Sequence, residues 1–203
     1  MIQYFEKQLQ TIRDSVSSMD VSAFLRLVDN AMAVLSRGNK VIISGLGKNV
    51  PICEKVVGSM ISLGMNAFFM HTNSAVHGDL GAVKDGDLVI LLSKSGETVE
   101  SVYLAELLVK RNVDLWLLTF NKKSTLSEKV SNKIILDLEQ EGDPWNVMPN
   151  NSTTINLIVL QGLVMQLAER EQLDIRELKR NHPGGYIGEL LKRNDQGRMI
   201  KGE

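Results

Sequence analysis

At 203 residues, 43% of them hydrophobic and with a formal net charge of -1, the chain is long enough for one domain with a substantial core, and it lacks the basic field that draws a protein to nucleic acid or anionic membrane. Its single cysteine, Cys53, excludes an internal disulfide framework and reads as a small apolar helix residue in a reducing compartment. No apolar run is long enough to span a membrane and the charged N-terminus has no signal-peptide core, so a cytoplasmic protein is expected.

The first 37 residues read as helical. Val21, Phe24, Leu25, Val28, Ala31, Met32 and Leu35 recur at intervals of three and four, and Gly38 stands where a helix ends. Apolar, β-branched runs at 40–45 (KVIISG), 66–71 (NAFFMH), 87–93 (DLVILLS), 114–120 (DLWLLTF) and 133–138 (KIILDL) predict five strands. Helical patterns fall between them at 51–63, with Pro51 in the first turn, at 99–110 and at 124–130. Three more follow the last strand, at 152–169, 174–180 and about 185–192. Continuously apolar strands alternating with helices predict an α/β fold: a three-layer α/β/α sandwich around a five-stranded parallel sheet, flavodoxin-like, with added N- and C-terminal helices. The expected layout is N-terminal helices over 1–37 that pack on the domain or an oligomer, the domain itself over 38–192, and a flexible polar tail over 193–203.

In such a sheet ligands bind outside the carboxyl ends of the strands, so the loops after each strand hold the chemistry. SGLGKN (44–49) is neither a P-loop, which would need glycine at Ile42, nor a dinucleotide fingerprint, which would need Gly or Ala at Val50. It is a glycine-rich turn in which Ser44, Gly45 and Gly47 can lie against a ligand and Lys48 can neutralise an anion or oxyanion. The plainer alternative is a tight turn with an exposed lysine. SKSGETVE (93–100) sets the hydroxyls of Ser93, Ser95 and Thr98 at a helix N-terminus, with Gly96 allowing the turn. A capping serine would explain one hydroxyl, not three; a phosphomonoester, whose oxygens accept several donors at once, explains all of them. No carboxylate cluster for Mg²⁺ and no nucleotide motif accompany the loop, so a sugar phosphate is expected, with no cofactor and no metal.

Glu100 lies one turn into the following helix, where a carboxylate serves acid/base work on the far end of the ligand or is simply solvated. Glu97 is expected to face solvent or a neighbouring subunit. His71 and His77 border the second loop, a weak metal signal without a third ligand. Glu139 and Glu141 fall on one side of an extended chain after the fifth strand. In NHPGG, Pro183 holds His182 extended and two glycines follow, which suits either a positioned acid/base or a helix break.

Taken together and in order, SGLGK, HGDLG, SxSGETxE, a glutamate before a proline, a Ser/Thr-rich helix start and HPGG resemble the sugar isomerase (SIS) domain family, and within it the arabinose-5-phosphate isomerases, over about 41–191. The resemblance implies an aldose–ketose isomerase interconverting D-arabinose 5-phosphate and D-ribulose 5-phosphate through a cis-enediol, for Kdo supply to lipopolysaccharide or capsule. It implies that Ser93, Ser95, Gly96 and Thr98 bind phosphate, that Lys48, Glu100, Glu141, His77 and His182 are the catalytic positions, and that homotetramers share active sites, with His182 lent by a neighbour. Many relatives continue into a pair of CBS domains; the sequence ends at Glu203 without them, so a short form is expected. Asn49, in place of a more usual serine, and GDPW around Glu141 depart from the family pattern. The alternatives are an isomerase of another phosphosugar and a non-catalytic sugar-phosphate sensor.

Overall fold

The computed structural model describes residues 1–194; the tail expected from 193 lies, from 195 onward, outside the described residues. The strands β1 (Val41–Gly45), β2 (Ala67–His71), β3 (Leu88–Leu92), β4 (Asp114–Thr119) and β5 (Asn132–Ile135) form one parallel sheet in the order β2-β1-β3-β4-β5. Register is level across its centre: Gly45 pairs with His71 on one side and Leu92 on the other, and Leu92 with Leu118. The loops after β2, β1 and β3 therefore leave the sheet at the same height, and the order reverses between β1 and β3, where such sheets place their ligands.

Alternation along each strand feeds two cores. Val41, Ile43, Leu88, Ile90, Leu92, Trp116 and Leu118 join one; Ile42, Val89, Leu91, Leu115 and Leu117 join the other. The first is covered by α1 (Ile2–Ser17), α2 (Val21–Ser36), α3 (Val50–Ser62) and α7 (Asn151–Arg170). The second is covered by α4 (Thr72–Ala75), α5 (Val99–Leu108) and α6 (Thr125–Lys129). The expected three-layer α/β/α arrangement is thus observed. Each fully buried Leu or Ile contributes about 1.5–3 kcal/mol, so the sheet interior dominates stability. Cys53 is one of these core residues, fully buried in α3, and burial pushes its thiol up to about 12.

Two details differ from the sequence expectation. β5 ends at Ile135 rather than 138, because the Asp137 N–H donates to Ser18 Oγ in the α1–α2 connection instead of to a strand. The second loop is not irregular throughout: it holds α4 and a 3₁₀ turn over Asp79–Ala82. At the chain's end, α8 (Ile175–Asn181) and α9 (Gly185–Asn194) form an elbow at His182. The elbow is tight because Gly188 has no side chain; a Cβ there would lie 2.5 Å from the His182 carbonyl oxygen. Among the described residues, no helix is long and apolar enough to cross a membrane.

Candidate active site

The loop after β3 is fastened from one side. The carbonyl of Lys94 accepts from Phe120 N and Thr119 Oγ1, both at 3.2 Å, that of Ser95 from Asn121 Nδ2 at 3.0 Å, and that of Gly96 from Leu126 N at 3.1 Å. Three successive carbonyls thus point to the β4–α6 connection. Within the turn, Ser93 Oγ accepts from Gly96 N at 3.1 Å and Ser95 Oγ from Glu97 N at 3.2 Å. Gly96 has φ +67°, and a Cβ there would stand 2.0 Å from Ser124 Oγ, so only glycine fits. Thr98 occupies the N-cap position of α5, and its hydroxyl makes no capping bond. Ser93 is buried, whereas Ser95 and the start of α5 face outward, with Thr98 half-buried between them. A hydroxyl-rich turn at the positive end of a helix is suited to an anion.

Glu97 is exposed, as the sequence suggests, but it is not free. Its carboxylate accepts from Thr125 N at 2.8 Å and Thr125 Oγ1 at 2.7 Å, capping α6; these two bonds hold its pKa below the usual range. Both of its oxygens are therefore engaged by the first residue of α6. Glu100 is the other kind of acid: exposed, and lining a cleft of about 200 Å³ with Thr72, Asn73, Val76, His77 and Tyr103. The fold therefore brings His77 and Glu100 to one cleft, one turn beyond the hydroxyl loop. His71 is held apart from it, its Nδ1 accepting from Asn73 N at 3.2 Å as the cap of α4.

In the β1 loop, Gly45 is required by packing: a Cβ would lie 2.9 Å from Asn49 Cβ and 3.0 Å from Cys53 Sγ. Gly47 has φ +59° and open space around it, and Lys48 beside it is exposed, with no partner among the described residues. Ser44 is fully buried and shares a 3.2 Å hydrogen bond with Thr72 Oγ1, which joins the β1 and β2 ends from beneath the loops.

Glu141 is buried with no exposed surface. Its Oε1 accepts from Lys94 Nζ at 2.7 Å and Ser152 Oγ at 2.7 Å; its Oε2 accepts from Ser152 N at 2.9 Å and Asn150 N at 3.0 Å. Burial alone would raise its pKa, but the Lys94 ammonium and the Ser152 and Asn150 donors outweigh that and hold it below the usual glutamate range. The carboxylate thus caps the N-terminus of α7. Glu139 lies exposed on the chain before it.

His182 lies away from these groups within its own chain. Its neighbour Asn181 donates to the Ser62 carbonyl at 3.2 Å, at the C-terminal end of α3, whereas Lys48 precedes the N-terminal end. The 13 residues of α3 at 1.5 Å each put about 20 Å between those ends. The His182 ring makes a 2.7 Å contact from Nδ1 to the Leu178 carbonyl. A carbonyl only accepts, so in the neutral ring Nδ1 carries the hydrogen and Nε2 keeps its lone pair.

Sequence reading did not single out Lys94, Ser152 or the pair Asn49–Asn156, in which Asn156 Nδ2 donates to Asn49 Oδ1 at 3.0 Å. The lysine inside a serine turn was visible; its partner across the fold was not. Among the described residues, no three His, Cys, Asp or Glu side chains converge to hold a metal ion.

The SIS domain family matches residues 34–166. The chain is 30% identical over 191 residues to the arabinose 5-phosphate isomerase KdsD of Pseudomonas aeruginosa, covering 94% of this chain and 59% of that protein. It is 32% identical over 183 residues to the arabinose 5-phosphate isomerase KpsF of Escherichia coli O6:H1, covering 90% and 54%. The chain thus spans somewhat over half the length of these curated relatives. Among solved structures, an Escherichia coli protein in complex with arabinose 5-phosphate superposes with a TM-score of 0.81 at 29% identity, over 89% of this chain and 94% of that one.

Proposed function

The chain belongs to the SIS domain family, and from that membership and the site geometry we propose that it is a phosphosugar isomerase interconverting D-arabinose 5-phosphate and D-ribulose 5-phosphate. The observation that carries the reading is the succession at the carboxyl end of the sheet: a hydroxyl loop at a helix N-terminus, Ser93 to Thr98, then a cleft lined by Glu100 and His77 one helical turn on. A five-carbon phosphosugar has this polarity, a dianion at one end and a reacting C1–C2 pair at the other. The relatives named for this activity and the solved complex with arabinose 5-phosphate support the choice of sugar.

The chemistry requires no more than proton carriers. The aldose opens, a base removes the C2 proton, and O1 gains a proton to give the cis-enediol. O2 then gives up its proton and C1 receives one, leaving the C2 ketone. Each positioned acid or base contributes about 10²–10⁴-fold. Glu100, exposed at the cleft, moves the hydroxyl proton. Glu141, with both oxygens engaged by four donors, supports α7 and the loop instead. His77 polarises the oxygens, and Lys48, whose ammonium has no carboxylate beside it among the described residues, offsets the enediolate charge. His182 of a neighbouring subunit in a homotetramer supplies Nε2 as the C2 base, because its own chain holds it a helix length from Lys48. In this reading the product feeds Kdo synthesis for lipopolysaccharide or capsule. Turnover of D-arabinose 5-phosphate by the purified chain tests the proposal.

A further inference from the structure

The backbone ties on the β3 loop all come from the β4–α6 side, through the carbonyls of Lys94, Ser95 and Gly96. One side chain runs the other way. Lys94 Nζ reaches Glu141 Oε1 at 2.7 Å, and Glu141 holds Ser152 and Asn150 at the start of α7. One turn further along α7, on the same face as Ser152, Asn156 holds Asn49 beside Lys48. The first turns of α7 therefore brace both ligand loops, the β3 loop through an ion pair and the β1 loop through an amide pair.

We propose that Lys94 is a positioning residue for the anion site: its ammonium, locked on Glu141, fixes the Ser93–Thr98 turn against α7, so that the loop's donors are already ordered when phosphate arrives. The inference rests on the phosphate reading of that loop. It assigns Lys94 a mechanical role rather than a direct one, because of where the charges lie. Glu141 has no exposed surface and Lys94 is about one-third exposed, at 37%. A cation compensated at 2.7 Å adds little net field to an incoming anion, and leaving Glu141 to greet it would strand a buried carboxylate without its counter-charge. The lysine sits between Ser93 and Ser95, so its tether to Glu141 acts on the backbone that carries both hydroxyls.

Calorimetric titration with inorganic phosphate and amide hydrogen exchange on the ligand-free protein test this. Lys94→Met and Glu141→Gln are each expected to weaken phosphate binding about tenfold, with non-additive effects in the double variant as for any coupled pair. Both are expected to speed exchange at the Gly96 and Glu97 amides, while Lys94→Arg restores both properties. A direct phosphate contact predicts the opposite for Glu141→Gln, since a released Lys94 would bind phosphate more tightly. Unchanged or tighter binding in that variant overturns the inference. If Glu141→Gln does not fold, unchanged exchange at Gly96 and Glu97 in Lys94→Met overturns it alone. If the parent binds phosphate but no variant differs, only the role of Lys94 falls; if the parent does not bind phosphate, the phosphate site falls with it.

Discussion

Lys48 and His182 stand at opposite ends of α3: Lys48 just before its first residue, Val50, and His182 next to Asn181, which is bonded to the last, Ser62. Two groups proposed for one reaction are therefore separated in one chain by the length of a helix. A neighbouring copy would resolve the conflict, and that proposal is testable by complementation. Lys48→Ala and His182→Ala homo-oligomers should each lose about 10²-fold or more in kcat. Dissociated, mixed and reassembled, they should regain activity, since some hybrid sites take an intact Lys48 from one chain and an intact His182 from the other. A mixture as inactive as its parts contradicts the shared site.

Gly96 is a second point of leverage. Any side chain there meets Ser124, whose hydroxyl donates to Asn121 O at 3.0 Å and accepts from Ser127 N at 3.2 Å, and so cannot move aside cheaply. Gly96→Ala adds backbone strain at φ +67° to the clash, together costing roughly 2–4 kcal/mol. Thermal unfolding should show a lower Tm, and phosphate affinity should fall with it; an unchanged Tm contradicts the geometry.

The proposed division of labour between loop and cleft should appear in kinetics. Ser95→Ala should raise KM roughly tenfold or more with little change in kcat, as loss of a bond to a charged group does. Glu100→Gln should instead lower kcat about 10²–10⁴-fold at nearly constant KM. Steady-state kinetics on both variants checks the split, and a Glu100→Gln enzyme with parental kcat removes Glu100 from the chemistry.

Acid stability follows from two buried carboxylates. Burial raises the Asp87 pKa, but the Lys84 and Lys40 backbone N–H groups, the Lys40 ammonium and Asn39 more than offset it, and Glu141 is lowered by its own four donors. Both therefore bind protons less readily folded than unfolded. Their contribution is complete above the ordinary values of 3.8 and 4.5 and is lost as pH falls through the lower folded values. Tm measured from about pH 5 to pH 3 should fall for the parent and fall less steeply for Glu141→Gln. Equal slopes contradict the pairing of Glu141.

The fold was legible because its signals are local. Five apolar runs separated by helical periodicity require a covered parallel sheet, and Pro51 and Gly38 mark helix ends within a residue or two. The hydroxyl loop was legible for the same reason, as Ser93, Gly96 and Thr98 adjoin in sequence. What could not be read was pairing across the fold. Glu97 and Glu141 look alike as acids beside candidate loops, yet Thr125 takes one to cap α6, and Lys94 with Ser152 takes the other to cap α7. Their partners are brought together by the β4–α6 and β5–α7 connections, which no periodicity encodes. The distance from His182 to Lys48 is likewise a property of the folded chain, set by the direction α3 runs.

The proposed isomerase activity is tested most directly by incubating the purified chain with D-arabinose 5-phosphate, with and without chelator, and following D-ribulose 5-phosphate. Reversible turnover on the order of 1–10³ s⁻¹ is expected, reduced about 10²-fold or more in Glu100→Gln and His182→Ala. Tight binding of the sugar phosphate with no ketose formed would contradict it.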